Sequence, residues 1–132
     1  MIFVDSDAYI ALNFTNDLLH RQAVAKLETL TESEENQLVT SWEVIDEVTT
    51  KLSFYISRPL ASKFLYSMLS STTRIEFVEL GLIDKVEAIF RSQKSKKVSL
   101  TDCANMVIAK KLGVTTFFSF DHHYLQNGFK LL

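Results

Sequence analysis

Short apolar runs alternate with longer amphipathic stretches along the whole chain. Four runs of three to five residues, rich in β-branched and aromatic side chains, lie at 2–4, 38–40, 75–78 and 114–118, and a fifth candidate lies at 129–132. Such runs are typical of short buried strands. Between them, apolar residues recur at intervals of three and four, which is the spacing of an amphipathic helix. The pattern predicts strands and helices in alternation.

Residues that favour helix ends mark where these helices begin and stop. Ser6 and Thr101 stand where N-terminal caps are expected. Pro59 stops the helix that begins near position 42 and pre-sets the first turn of the next helix. A polar segment, 31–36, ends the helix that begins near position 19. Gly113 is placed to end the helix that Thr101 begins.

Alternating strands and helices constrain the fold class. Apolar strands without a clean polar alternation are typical of a mostly parallel sheet that is covered on both faces. The sequence therefore predicts a three-layer α/β/α sandwich with a four- or five-stranded sheet. The 132 residues contain neither an internal repeat nor a Pro/Gly/Ser-rich linker. Because this length is typical of one domain, we expect residues 1–132 to form a single domain.

The charge and the cysteine content exclude some classes of protein. Fourteen Lys and Arg residues against sixteen Asp and Glu residues give a net charge of -2, which is not that of a DNA-coating protein. A single cysteine, and a start without a basic n-region, predict a cytoplasmic protein. The longest apolar runs are far shorter than the roughly twenty residues that span a bilayer, so no membrane association is expected.

Three aspartates are expected at one edge of the sheet. Asp5 follows the first strand and Asp121 follows the strand at 114–118, and parallel strands share the edge at their carboxyl ends. A helix of about eleven residues rises about 16 Å, and a strand of about five residues covers a similar distance. The chain therefore returns to the edge where Asp102 begins its helix. Asp7 is explained as a first-turn residue that interacts favourably with the helix dipole.

A fourth acid, Glu47, belongs to the helix that begins near position 42. Glu43 and Asp46 belong to the same helix. Of these three acids, Glu47 lies nearest the apolar stripe, so it is the best candidate to point inward. Two unit charges 4 Å apart repel by roughly 4 kcal/mol at an effective dielectric of 20 unless cations compensate them. Carboxylate oxygens suit Mg²⁺ or Mn²⁺, whose coordination shell substrate phosphate completes. The cluster predicts metal-assisted phosphodiester hydrolysis.

Four segments, in this order and spacing, carry a resemblance to a known family. They are FVDSDAYIAL at 3–12, VIDEVTTKL at 44–52, SLTDCA at 99–104 and FSFDHHY at 118–124. The sequence resembles PIN-domain ribonucleases over nearly the whole chain, in particular the VapC toxins of prokaryotic VapBC toxin–antitoxin pairs. This resemblance implies RNA cleavage with Mg²⁺ or Mn²⁺, a homodimer and an antitoxin partner.

The resemblance also implies a set of site residues. The matching acids are catalytic and metal-binding, and small hydroxyl residues support them: Asp5, Glu47, Asp102 and Asp121, with Thr101, Ser119 and Ser6. Some members of the family carry a further acid a few residues after the last aspartate. Leu125 and Gln126 stand there in this chain, so the resemblance is compatible with a site for one metal ion or for two.

Three further side chains are candidates for RNA contact. His123 follows Asp121 closely, and Lys96 and Lys97 precede the helix of Asp102. Basic side chains beside an acidic site can contact phosphates. The alternative is that the histidine is locally hydrogen-bonded and that the lysines belong to a solvated loop.

Two other functions stay open. A phosphatase of the haloacid dehalogenase type is one, because Asp5, Ser6 and Asp7 after a hydrophobic strand resemble its nucleophile motif. Tyr9 stands where that motif expects Thr or Val, and the chain is short for that fold with a cap. The other is a catalytically inactive PIN-like module that binds RNA or protein. The RNA target and the cleavage sequence do not follow from these residues.

Overall fold

A parallel sheet forms the centre of the protein. The computed structural model describes residues 1–30 and 37–132, so the segment 31–36, which was expected to end a helix, lies outside the described residues. The strands of this part of the chain are β1 (Ile2–Val4), β2 (Leu38–Ser41), β3 (Arg74–Glu76), β4 (Thr116–Phe118) and β5 (Lys130–Leu131). Their order in the sheet is β3-β2-β1-β4-β5, and all four neighbouring pairs are parallel.

Helices connect the strands and cover the sheet. They are α1 (Ser6–Asn13), α2 (His20–Glu28), α3 (Trp42–Tyr55), α4 (Arg58–Ser70), α5 (Ile83–Ser92), α6 (Leu100–Leu112) and α7 (His123–Gln126), with a 3₁₀ turn at Leu80–Leu82. Helix α1 packs against α2 and α3, α3 packs against α4, and α5 pairs with α6. The predicted three-layer α/β/α sandwich and its five-stranded parallel sheet are confirmed. No described helix is long and apolar enough to span a membrane.

The register of the central strands places the candidate site. Phe3 of β1 lies beside Phe117 of β4, and their rings stack at 4.9 Å. The backbone N–H of Asp5 donates to the carbonyl of Phe118 at 3.1 Å, so β1 and β4 end together. Strand β2 ends at Ser41 on the other side of β1. Residues that follow these three strands therefore share one edge of the sheet.

The ends of two helices differ from the prediction. Asp5, not Ser6, occupies the N-cap position of α1. Helix α6 is capped by Ser99 rather than by Thr101, because Ser99 and Asp102 form a capping box. The Ser99 N–H donates to Asp102 Oδ2 at 2.7 Å, and the Asp102 N–H donates to Ser99 Oγ at 3.1 Å. Thr101 therefore lies inside the first turn.

Other boundaries agree with the sequence pattern or shift slightly. Pro59 lies in the first turn of α4, as predicted, and α3 stops at Tyr55, four residues before it. The predicted strand at 114–118 is paired only over Thr116–Phe118, and the one at 75–78 is shifted to Arg74–Glu76. Gly113 ends α6 with φ 70°, in the left-handed region. Because glycine has no Cβ, it adopts this backbone conformation more readily than any other residue.

The helix end at Gly113 gives a first prediction. Gly113→Ala should lower the free energy of unfolding by about 1–2 kcal/mol, because an L-residue is strained at this φ. An added Cβ would have no heavy atom within 4 Å, so the loss reflects backbone conformation alone. Urea unfolding measures it. Gly81→Ala is the matched control, since that site is equally open but does not have a positive φ. An equal loss at both positions would contradict the explanation.

Candidate active site

Asp5 is the most buried acid at the carboxyl edge of the sheet, with 3% of the residue exposed. It follows β1 and precedes α1, so the backbone of both elements fixes its position. Asn105 Nδ2 of α6 donates to Asp5 Oδ1 at 3.2 Å. The Tyr124 hydroxyl of α7 donates to Asp5 Oδ2 at 2.9 Å. Both oxygens of this carboxylate therefore accept hydrogen bonds from buried side chains.

Asp102 lies on the other side of the Tyr124 hydroxyl group from Asp5. Its Oδ1 is 3.5 Å from the Tyr124 hydroxyl, while its Oδ2 accepts the Ser99 N–H of the capping box. One phenol oxygen thus lies within hydrogen-bond reach of both carboxylates. The two predicted acids are brought together, with Tyr124 between them.

His123 links Asp102 to the third predicted aspartate, Asp121. Its Nδ1 lies 2.9 Å from Asp121 Oδ1, and its Nε2 lies 3.7 Å from Asp102 Oδ2. The imidazole is buried, and neither nitrogen has a partner in hydrogen-bond geometry within the described structure. The Asp121 side chain is half exposed. His123 therefore lies behind the acids, where it faces two carboxylates, and its contact with RNA stays a prediction.

Asp7 extends the acidic site on the β4 side. Its Oδ2 accepts hydrogen bonds from Ser119 Oγ at 3.0 Å and from the Phe120 N–H at 2.7 Å. Ser119 Oγ in turn accepts the Asp121 N–H at 3.1 Å. Besides its expected place in the first turn of α1, Asp7 thus connects this helix to the loop that carries Asp121.

The electrostatics of the site are dominated by burial of like charges. Burial raises the pKa of Asp5 to about 8, and the neighbouring Asp7 and Asp102 contribute to the rise. Burial also raises the pKa of Asp7. No Lys or Arg in the described structure forms an ion pair with these acids or with Asp121. In the described structure, these acids therefore lie close together without a Lys or Arg to balance their charge.

The donor set fits a hard divalent cation. Asp5 and Asp102 are two carboxylates that share one hydroxyl neighbour, and repulsion between them is not compensated by the described basic residues. In the described residues, no three His, Cys, Asp or Glu side chains form a metal site of their own. Mg²⁺ is commonly bound through one or two carboxylates, with waters and substrate phosphates in the other positions. The pair matches that mode of binding.

Other predicted site residues are placed outside this pair. Glu47 of α3 forms an ion pair with Lys51, in which its Oε1 is 2.5 Å from Lys51 Nζ. Lys96 and Lys97 are exposed in the loop before α6. Ser6 is buried at the start of α1. The roles of all these residues stay predictions.

Two buried polar residues of the site were missed by the sequence interpretation. Asn105 and Tyr124 each lie three positions after a predicted acid, Asp102 and Asp121. Residues three apart lie on the same side of a helix, so for Asn105 and Asp102, both in α6, this spacing was a usable signal. A polar group in an otherwise apolar stretch of α6, Asn105 above all, was the second signal.

The buried Asp5 predicts how stability depends on pH. Its pKa is about 8 in the folded protein against 3.8 for a free side chain. Below pH 4 both states are protonated. As the pH rises to 8, only the unfolded state releases this proton, so the free energy of unfolding falls by up to roughly 1.4 kcal/mol per pH unit. Asp5→Asn should remove this contribution.

The measurement is urea unfolding in EDTA at pH 5 and pH 8. The variant should gain stability relative to the parent at pH 8, by a few kcal/mol at most. Asp84→Asn is the control, since Asp84 is an exposed acid in the first turn of α5. The raised pKa of Asp5 is refuted if the free energies of unfolding of Asp5→Asn and the parent differ by the same amount at both pH values.

Comparisons with known proteins identify the fold. No protein-family model and no curated protein matches this chain. The chain is similar to Mycobacterium tuberculosis VapC20, which is described as a Sarcin-Ricin loop cleaving toxin: the TM-score is 0.88 at 22% identity, over 98% of this chain and 96% of that one. It is also similar to FitAcB from Neisseria gonorrhoeae, with a TM-score of 0.73 at 14% identity, over 100% of this chain and 96% of that one. The protein thus has the predicted PIN-like fold, shared with VapC20 over nearly the full length of both chains.

Proposed function

We propose that the protein is a metal-dependent ribonuclease that hydrolyses RNA phosphodiester bonds, as the toxin of a VapBC-type pair. The observation that carries this proposal is the pair formed by the buried Asp5 and the partly buried Asp102, which lies at the carboxyl edge of the sheet without a Lys or Arg partner among the described residues. The likeness of fold to VapC20, whose description is of an RNA-loop-cleaving toxin, supports the same function.

In this proposal, Asp5 and Asp102 hold Mg²⁺ or Mn²⁺, and the half-exposed Asp121 faces the substrate side of the site. When bound, the ion supplies Lewis-acid stabilisation of the charge that develops on the phosphate. The imidazole of His123 lies between Asp102 and Asp121 and faces both carboxylates. Ser119 holds the loop of Asp121 through Asp7.

Several residues act at the margin of the site. Lys96 and Lys97 extend from the loop before α6 and attract RNA phosphates. Glu47 joins the acids when its pair with Lys51 opens. Exposed pairs four residues apart on a helix contribute about 0.3–0.5 kcal/mol, so this opening costs little. Thr101 supports the site from the turn that contains Asp102.

The uncompensated acids also support an antitoxin partner. An Arg or Lys side chain of such a partner would form charge-assisted hydrogen bonds with Asp5 and Asp102 and so exclude the cation. Self-association into a homodimer is supported by large apolar side chains that are exposed between β3 and the start of α6: Phe77, Leu80, Ile83, Phe90 and Leu100. A cytoplasmic location is proposed with them, since the single cysteine, Cys103, is free and buried.

The two alternative functions are less well supported. In a phosphatase of the haloacid dehalogenase type, Asp7 would need to be available to substrate, but its carboxylate is occupied by Ser119 and the Phe120 N–H. An inactive binding module would have no use for a buried carboxylate, Asp5, beside other acids that have no Lys or Arg partner in the described structure. Release of phosphate from small phosphomonoesters would favour the phosphatase, and no hydrolysis with added metal would favour the module.

The third prediction concerns Asp102→Asn. This variant should lose about 100-fold or more of the RNA cleavage measured with Mg²⁺ or Mn²⁺, because it loses the charge that holds the ion. Its fold should survive, since the amide oxygen can still accept the Ser99 N–H of the capping box. In EDTA, its free energy of unfolding should stay within about 1 kcal/mol of the parent, because relief of repulsion offsets the weaker helix cap.

Cleavage is measured on single-stranded RNA and on a hairpin with the Sarcin-Ricin loop sequence. Asp46→Asn is the matched control, because Asp46 is an exposed aspartate on α3 and makes no contact with the acidic site in the described structure. Cleavage by Asp102→Asn at the parent rate would refute the assignment of Asp102. Cleavage by the parent that survives exhaustive EDTA treatment would refute the metal-dependent mechanism.

A further inference from the structure

A series of directed hydrogen bonds leads from the start of α3 to the Asp5 carboxylate. It begins at Ser41, whose Oγ accepts the Val44 N–H at 3.1 Å as the N-cap of α3. The single hydroxyl proton of Ser41 is therefore free to point elsewhere, and Oγ lies 2.7 Å from Asn105 Oδ1. Ser41 donates this proton to Asn105. The helix cap thus determines which end of the Asn105 amide is the acceptor.

The orientation of Asn105 follows from that bond. Because Oδ1 accepts from Ser41, the NH₂ group must face the other way, toward Asp5 and Tyr124. Nδ2 lies 3.2 Å from Asp5 Oδ1 and 3.5 Å from the Tyr124 hydroxyl oxygen. Asn105 is fully buried, so water does not compete for these donors. The amide therefore supplies one donor to the carboxylate and the other to the phenol.

The Tyr124 hydroxyl completes the series. It accepts from Asn105, and its own proton is directed to Asp5 Oδ2, which is closer, at 2.9 Å, than Asp102 Oδ1, at 3.5 Å. The ring is fixed by stacking on Phe117, with centroids 3.9 Å apart and planes 17° apart. Phe117 belongs to β4, so packing of the Tyr124 ring against the sheet fixes the position of its hydroxyl. Its position between the two carboxylates does not depend on a flexible side chain.

We propose that Tyr124 is a positioning residue of the metal site: with Asn105, its hydroxyl fixes the Asp5 carboxylate in the orientation that faces Asp102, ready for a divalent cation. This inference rests on the proposed function. Tyr124 itself does not touch RNA or the reacting atoms. Two fixed donors, Asn105 Nδ2 and the Tyr124 hydroxyl, keep the carboxylate from rotating away from Asp102. Residues that orient metal ligands in this way commonly change metal affinity by about 10–100-fold.

Tyr124→Phe tests this inference because it removes only the hydroxyl and retains the ring that stacks on Phe117. Isothermal titration with Mn²⁺, without RNA, should show an affinity that is weaker by about 10–100-fold. Cleavage of RNA should fall at low Mn²⁺ and recover when Mn²⁺ is raised by the same factor. A purely structural role would not produce that recovery.

Tyr9→Phe is the matched control. Tyr9 is also buried and packs by its ring against Phe64, and its hydroxyl lies near Thr40 and Thr73 rather than at Asp5 or Asp102. This variant should bind Mn²⁺ as the parent does. Thermal unfolding in EDTA checks that both variants are folded.

Three results would overturn the role of Tyr124. They are an Mn²⁺ affinity of Tyr124→Phe that equals or exceeds that of the parent, a loss of cleavage that raised Mn²⁺ does not restore, and a parent that does not bind Mn²⁺. Failure of the proposed function has a different signature. A parent that binds Mn²⁺ but leaves RNA intact would refute the ribonuclease, and the comparison of Mn²⁺ affinities would still decide the role of Tyr124.

Discussion

The structure depends on one costly placement, the burial of the Asp5 carboxylate beside two other acids. The parallel register of β1 and β4 forces it, because both strands end at the same level and send their following residues to one edge. A carboxylate out of water must be hydrogen-bonded or neutralised. The donors come from α6 and α7, and the loop after β4 is tied to Asp7. The packing of α6, α7 and the loop after β4 therefore also determines the hydrogen bonds of the site.

Much of the fold was predictable because its signals are local. Apolar runs marked the strands, and Pro59 and Gly113 marked helix ends that their backbone conformations require. The position of Asp5 and Asp121 followed from the rule that parallel strands share an edge. The caps were harder, since several polar residues compete for the same N–H groups: Ser99 prevailed over Thr101 because Asp102 could bond back to it. The spacing of Ser99 and Asp102 is that of a capping box, so a local signal for this cap was present in the sequence.

The interactions that complete the site are long-range, and this is why the sequence did not show them. Asn105 is one hundred residues from Asp5 in the sequence, and the orientation of its amide is set by Ser41 on its other side. Glu47 illustrates a related point. The helical wheel ranks it by its neighbours in α3, but its observed partner is the nearby Lys51, and its place in the acidic site stays a prediction. Periodicity predicts which face a residue occupies, whereas side-chain direction is set by the available partners.

The capping box of α6 has a consequence for how the site responds to its ligands. Asp102 uses one oxygen to close the first turn of the helix and presents the other to the acidic edge. Thermodynamic linkage is reciprocal, so any ligand that pulls on this carboxylate also changes the stability of the turn that begins at Ser99. The loop with Lys96 and Lys97 leads directly into that turn. Occupancy of the acidic edge and order in the neighbouring basic loop are thereby coupled through a single side chain.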